Sequence, residues 1–184
     1  MVRLVERRRA LGPKEIDAAL GRMAAALARR IDAPERLALV GIRTGGVPLA
    51  ERLARRLAES TGHEVALGTV DITLYRDDVF RGLPTPIVGP TEIDFAVGDR
   101  EIVLVDDVLY TGRTVRAAID AVMDLGRPRR ILLAVLVDRG GRELPICPDV
   151  TGVDLTVAAD ESVQVLLQET TGEDAVVVRG VEAP

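Results

Sequence analysis

The sequence predicts an α/β protein: a twisted parallel sheet flanked by helices, with a mobile hairpin lid and a small C-terminal hood. Three observations carry this. Short apolar runs alternate with segments of helical spacing, the pattern of βαβ units. Apolar residues make up 47% of the 184 residues but aromatics only 2%, so the core is built from Leu, Val, Ala and Ile, which suits helices packed on a parallel sheet. Two of the apolar runs also end in Gly-containing turns that open helices, where open α/β sheets place their ligands.

In chain order, a charged arm with Arg7, Arg8 and Arg9 comes first and reads as flexible. Pro13 to Arg30 reads as a helix, with Pro near its start and Ile16, Leu20, Met23 and Leu27 on one face. Arg36 to Gly41 is a short strand and Pro48 to Glu59 the helix after it, broken by Thr61, Gly62 and His63. His63 reads as a loop residue. Glu64 to Tyr75 contains a β-rich run. Arg76 to Gly98 is polar, with three prolines and three glycines, and too long for an idle connection, so the lid is expected at about 76–98. Glu101 to Val105 is the next strand, Arg113 to Leu125 its helix, closed by Gly126, and Arg130 to Val137 a further strand. Beyond Asp138 the pattern decays into Gly140, Gly141, two prolines and apolar stretches at 153–156, 163–167 and 175–178. The hood is expected at about 138–170, within one domain spanning 1–184.

Composition narrows the function classes. The net charge of −5 argues against wholesale coating of nucleic acid, leaving room for a local basic face. Scarce aromatics argue against a base-stacking platform. Lys14 is the only lysine among 24 basic residues, an Arg bias that fits either genome composition or adaptation to heat. Cys147 is the single cysteine, so no internal disulfide forms. No apolar run reaches the roughly 18 residues of a membrane span, and the charged N-terminus leads into no signal-peptide core. The expectation is a cytoplasmic protein without membrane partners.

The chemistry concentrates where Ile102 to Val105 run into Asp106 and Asp107 and then Thr111, Gly112, Arg113 and Thr114. Carboxylates at the end of a buried strand are costly unless they meet a metal, hydroxyls or donors. The turn offers N–H groups, two hydroxyls and a helix N-terminus to an anion. The chain has to turn at the acids for both to reach one ligand, since adjacent strand residues point to opposite faces. A plain strand-end turn with solvated acids is the alternative. A nucleotide-triphosphatase loop is not, because Asp107 stands where its first Gly belongs and Arg113 where its Lys belongs. A second loop, from Gly41 through Arg43, Thr44 and Gly45 to Gly46, can point N–H groups at a diphosphate or be an ordinary βα connection. Together the two loops describe a substrate with anions at two positions.

The acidic pair and phosphate turn at Val103 to Thr114 resemble the signature of type I phosphoribosyltransferases. With the blocks Asp71 to Asp78, Val105 to Thr114 and Leu136 to Pro145, the chain resembles the bacterial bifunctional pyrimidine-operon attenuation regulators that have uracil phosphoribosyltransferase activity. That resemblance implies conversion of uracil and phosphoribosyl pyrophosphate to UMP and pyrophosphate, with Mg2+. It implies that Asp106 and Asp107 act on the ribose hydroxyls or magnesium's water shell, that Tyr110, Thr111, Gly112, Arg113 and Thr114 hold the 5′-phosphate, and that Val108 and Leu109 also bind substrate. Arg43 and Thr44 would then take pyrophosphate, Arg76 would clamp it, and Arg139 with Val163 would line the base pocket. Tyr110 stands where purine-using relatives carry an Asp.

The same resemblance implies uridine-nucleotide-dependent binding, with UMP or UTP as signal, to the mRNA leader of pyrimidine genes, and a homodimer or homotetramer. Arg22, Arg29, Arg30 and Arg142 are the candidates for a phosphate-contacting face, or are simply solvated arginines. The chain departs from better-known members in having Gly21 and Ala25 in place of a hydroxyl and a His, and Gly45 in place of a common Arg. Two other readings stay open: a regulator that senses nucleotides with little catalysis, and a purine phosphoribosyltransferase.

Overall fold

The computed structural model describes residues 4–77 and 89–182. The elements run β1 (Leu4–Leu11), α1 (Pro13–Ala28), β2 (Leu37–Ile42), α2 (Gly46–Thr61), β3 (Ala66–Val70), β4 (Glu101–Leu109), α3 (Arg113–Asp124), β5 (Arg130–Asp138), β6 (Val150–Asp154), β7 (Ser162–Leu166), α4 (Gln168–Thr171) and β8 (Ala175–Val181). Five strands form a parallel sheet in the order β3-β2-β4-β5-β6. The two central strands are buried on both faces, which is why β2 and Ile102 to Val105 of β4 read as unbroken apolar runs, the latter ending in acids. Period-2 alternation divides their side chains. Leu37, Leu39, Val103 and Val105 pack under α1 and α2, while Ala38, Val40, Ile102 and Leu104 pack under α3.

The helices follow from their apolar stripes. α1 buries Ile16, Leu20, Met23 and Leu27 at three- and four-residue spacing, and each large aliphatic side chain removed from water contributes about 1.5–3 kcal/mol. Pro13 sits in its first turn, and the Gly12 N–H donates to Glu15 Oε2 at 3.1 Å. α2 stops at Gly62, where φ is +72°, a left-handed conformation that favours glycine.

The remaining strands depart from expectation. Arg7 to Arg9 lie in β1, which pairs antiparallel with β8, Arg8 opposite Val178 and Arg9 opposite Val177. Because β1 is an edge strand with mostly exposed side chains, its charges hid a backbone that the valines of β8 hold in place. The hood is thus a three-stranded sheet, β1-β8-β7, made from both ends of the chain. It is not a unit at about 138–170: β6 within that range extends the parallel sheet beside β5. Part of the stretch expected to be a lid is held in place. Glu92 bridges Thr69 through paired backbone hydrogen bonds of 2.7 and 2.8 Å, and Val97 is buried in the core under α3. The 78–88 part of the expected lid lies outside the described residues.

Candidate functional site

Asp106 and Asp107 sit near the C-terminal end of the central strand, but the chain does not turn there. β4 continues to Leu109, with Asp106 opposite Val135 and Val108 opposite Val137. Both acids nevertheless line one cavity of about 500 Å³, with Arg43, Thr44, Gly45, Asp71, Ile72, Thr73, Arg76, Val108 and Thr114. Gly45 accounts for Asp107 reaching it: a Cβ there would fall 2.2 Å from Asp107 Oδ2. Gly46 is equally constrained, since its Cβ would lie 2.1 Å from the Val105 carbonyl oxygen. The loop and the acidic strand therefore touch backbone to backbone, which only glycine allows. The peptide bond between Arg43 and Thr44 is cis.

Electrostatics mark the pair. Burial pushes the Asp106 carboxyl well above the usual range, the neighbouring Asp107 charge adds to this, and burial also raises Asp107. The Asp107 N–H donates to Asp106 Oδ1 at 3.0 Å and the Val108 N–H to Asp107 Oδ1 at 2.7 Å. Among the described residues neither acid has an ion-pair partner. No cluster of three or more His, Cys, Asp or Glu surrounds them among those residues. Two oxygen-rich side chains in an open cavity fit Mg2+, which takes one or two carboxylates and fills its shell with waters and substrate phosphate oxygens.

The turn after β4 forms a second, adjoining cavity of about 200 Å³, lined by Arg76, Asp77, Thr111, Arg113 and Thr114. Gly112 has φ of +91°, the Arg113 N–H donates to Thr111 Oγ1 at 3.3 Å, and α3 begins there. This is an anion-sized cradle at a helix N-terminus. The Arg113 side chain lies in its wall, donating to Glu143 at 2.7 Å and to Asp77.

Other expected site residues are placed differently. The Leu109 side chain is buried in the core under α3 and its carbonyl accepts the Arg139 N–H, so it offers a ligand little. Val163 packs on β7 against the α1 and α2 core and lines neither cavity. Arg139 lies with its guanidinium 3.9 Å from the Tyr110 ring centre. Arg142, a candidate phosphate contact, is engaged within its own loop. Its donors go to Asp138 at 2.5 Å, the Tyr110 and Ile146 carbonyls at 2.9 Å and the Gly140 carbonyl, so it organises the 138–146 loop. Arg22, Arg29 and Arg30 are exposed on α1 and just beyond it.

Asp71 is a cleft residue that the sequence reading did not single out. It accepts the Thr73 N–H at 2.7 Å and the Gly89 N–H at 2.9 Å. Burial alone would raise its carboxyl, but these hydrogen bonds and the Arg43 charge hold it below the usual range. Its signal was its position directly after an apolar strand, the same cue that singled out Asp106. Arg43 is fixed opposite, Nε donating to the Pro90 carbonyl at 3.0 Å with Glu92 3.6 Å away.

A buried acidic pair between two anion-sized loops at the ends of neighbouring parallel strands defines a phosphoribosyltransferase, and residues 12–169 match the phosphoribosyl transferase domain family. The chain is 55% identical over 166 residues to the bifunctional protein PyrR of Deinococcus radiodurans, covering 90% of this chain and 91% of that one. It is 47% identical over 176 residues to that of Clostridioides difficile, covering 96% and 99%. The hypoxanthine phosphoribosyltransferase of Trypanosoma cruzi shares the fold at 18% identity, with a TM-score of 0.70 over 96% of this chain and 98% of that one. The chain belongs to the bifunctional PyrR proteins of the phosphoribosyltransferase family. Among the described residues no helix is long and apolar enough to cross a membrane.

Proposed function

We propose that the protein is a cytoplasmic uracil phosphoribosyltransferase that also regulates pyrimidine biosynthesis genes by binding their leader mRNA, with UMP or UTP as signal. The observation that carries the enzyme reading is the Asp106–Asp107 pair, Asp106 buried, between the 43–46 loop and the 111–114 turn, in a chain half identical to PyrR proteins. Uracil N1 forms a bond to C1′ of phosphoribosyl pyrophosphate as the C1′–O bond to pyrophosphate breaks, and the N1 proton is released.

The 111–114 amides and hydroxyls receive the 5′-phosphate at the start of α3. Arg43, Thr44 and the amides at the start of α2 receive pyrophosphate, and Arg76 adds a cation between the two cavities. Asp106 and Asp107 accept hydrogen bonds from the ribose hydroxyls and orient C1′. Held by these two acids, Mg2+ would supply charge neutralisation of the departing pyrophosphate. Carboxylates facing the ribose also favour the positive character that develops at C1′. The Asp138 carboxylate beside Arg139, at the expected base side, is taken up by the Arg142 guanidinium and the Gly140 N–H, consistent with uracil giving up its own acidic proton. A homodimer or homotetramer is the proposed assembly.

The test is uracil-dependent pyrophosphate release from phosphoribosyl pyrophosphate, with and without Mg2+, beside a hypoxanthine control. The expected result is uracil-specific, magnesium-dependent turnover. Turnover with hypoxanthine instead would point to a purine enzyme, and no turnover with either base would leave a nucleotide-sensing regulator.

A further inference from the structure

The hood and the 43–46 loop are separate in sequence, yet one side chain fastens them together. Arg52 lies on α2, the helix that the 43–46 loop opens. Its Nε and Nη2 donate to the two carboxylate oxygens of Glu169 at 2.8 and 2.6 Å, and Nη1 and Nη2 donate to those of Asp174 at 2.8 Å each. Both acids belong to the turn that joins β7 to β8, and Asp174 Oδ1 also accepts the Gln168 N–H at 2.8 Å. The arrangement is not a loose surface pair. The Arg52 side chain is only 13% exposed and that of Asp174 19%, and a guanidinium forked into two carboxylates fixes direction as well as distance.

What the turn positions is the layer packed behind the cleft wall. β7 lies against β4, and Val163 and Val165 of β7 share a packed cluster with Val108, itself a cleft residue. Asp174 stands directly before β8, whose Ala175, Val176 and Val177 are buried. Arg56, one helical turn on, donates to the Arg52 carbonyl at 3.3 Å and pairs with Asp17 of α1. Rotation of the β7–β8 turn relative to α2 would break four charge-assisted hydrogen bonds together.

We propose that Arg52 is a positioning residue that holds the hood in register with the pyrophosphate loop, so that the base side of the cleft is formed before uracil arrives. This rests on the phosphoribosyltransferase reading for its kinetic consequence and on the hydrogen bonds alone for its structural one. Arg52 itself reaches neither cavity, so its loss acts on uracil capture and spares the 5′-phosphate cradle.

The test compares the full-length Arg52→Met variant with wild type in two measurements. In steady-state kinetics, the KM for uracil rises at least about tenfold, while kcat and the KM for phosphoribosyl pyrophosphate change less than about threefold. In amide hydrogen exchange, residues 162–178 exchange faster and residues 101–122 do not. A Glu169→Gln, Asp174→Asn double variant gives the same pattern and serves if Arg52→Met does not fold. Unchanged exchange across 162–178 overturns the proposal whether or not the wild type turns over uracil. An equal rise in both KM values overturns it as well, because that would mean general loosening of the cleft. Absence of turnover in the wild type overturns the enzyme reading alone and leaves the exchange result to decide the coupling.

Discussion

At the scale of single residues, Asp106 and Asp107 set stability against function. Their carboxyls are raised by burial and, for Asp106, by the neighbouring charge. A group whose folded pKa is raised in this way opposes folding once pH climbs through the unfolded carboxylate range near 4 and is ionised, and ceases to do so as pH falls. Asp107→Asn is therefore expected to lower turnover by at least about a hundredfold, the scale of losing one preorganised electrostatic contact in an active site, and to raise the thermal melting midpoint. Pyrophosphate release and a melting curve on the same sample check both halves. A near-wild-type rate would remove the acid from the diol or metal role. Arg43→Ala separates the loops. Loss of a charge-assisted contact, about 1.5–3 kcal/mol or roughly 10- to 150-fold, is expected in pyrophosphate inhibition. UMP binding, measured by calorimetry, should change much less, and equal losses would contradict the assignment of this loop to pyrophosphate.

Elements differ in how plainly the sequence declares them, and burial explains the difference. β2 and β4 are covered on both faces, so Leu37 to Ile42 and Ile102 to Val105 carry no charge and the acids that follow in β4 stand out. β1 is an edge strand whose partner supplies the hydrophobic side, and Arg7 to Arg9 conceal it. The end of β4 was missed for a related reason: Asp106 and Asp107 read as a turn because acids are rare inside strands, although the parallel ladder with β5 carries on past them. Arg142 shows that an arginine in a glycine-rich loop can be an internal brace, which no local pattern distinguishes from a solvated one. The contact between α2 and β4 is an element-scale feature open to test. In Gly46→Ala the new methyl meets a backbone carbonyl, which cannot rotate aside as a side chain would. A loss of about 1–3 kcal/mol is expected in chemical denaturation, with weakened pyrophosphate inhibition, whereas Gly21→Ala, whose Cβ meets nothing within 4 Å, should gain slightly in stability. The hood has its own pH signature. Arg52 hydrogen bonds hold the Glu169 and Asp174 carboxyls below their ordinary range. A depressed folded pKa gives stability that is complete above the unfolded value and lost as pH falls through the folded one. Acid titration followed by hydrogen exchange should therefore release residues 162–178 before the parallel sheet.

At the scale of the whole molecule, the question is how a chain of net charge −5 engages RNA at all. Attraction has to be local, and with Arg142 committed to its own loop the remaining candidates are Arg22, Arg29 and Arg30. They project from α1 and the residues after it, on the layer opposite α3. Arg22 is partly engaged, donating to the Gly152 carbonyl at 3.2 Å, so Arg29 and Arg30 have the greater freedom to reach phosphates. The Gly21 and Ala25 positions on the same helix offer no side-chain donors, and the adjoining groove with α2 is lined largely by Ala24, Ala25 and Ala28. A face of this kind holds RNA through phosphates more than base edges, and each phosphate neutralised releases counterions, steepening the fall of log affinity with log salt by about 0.7 for single strands. Leader RNA binding measured across a salt series should thus be steep. Changing Arg29 and Arg30 together to Ala is expected to reduce the slope by about 1.4 while leaving pyrophosphate release untouched, since neither lines the cleft. A flat salt response in the unaltered protein would contradict phosphate contacts. An unchanged slope in the double variant would place the RNA elsewhere, and the exposed arginines of β1 would be the next surface to alter.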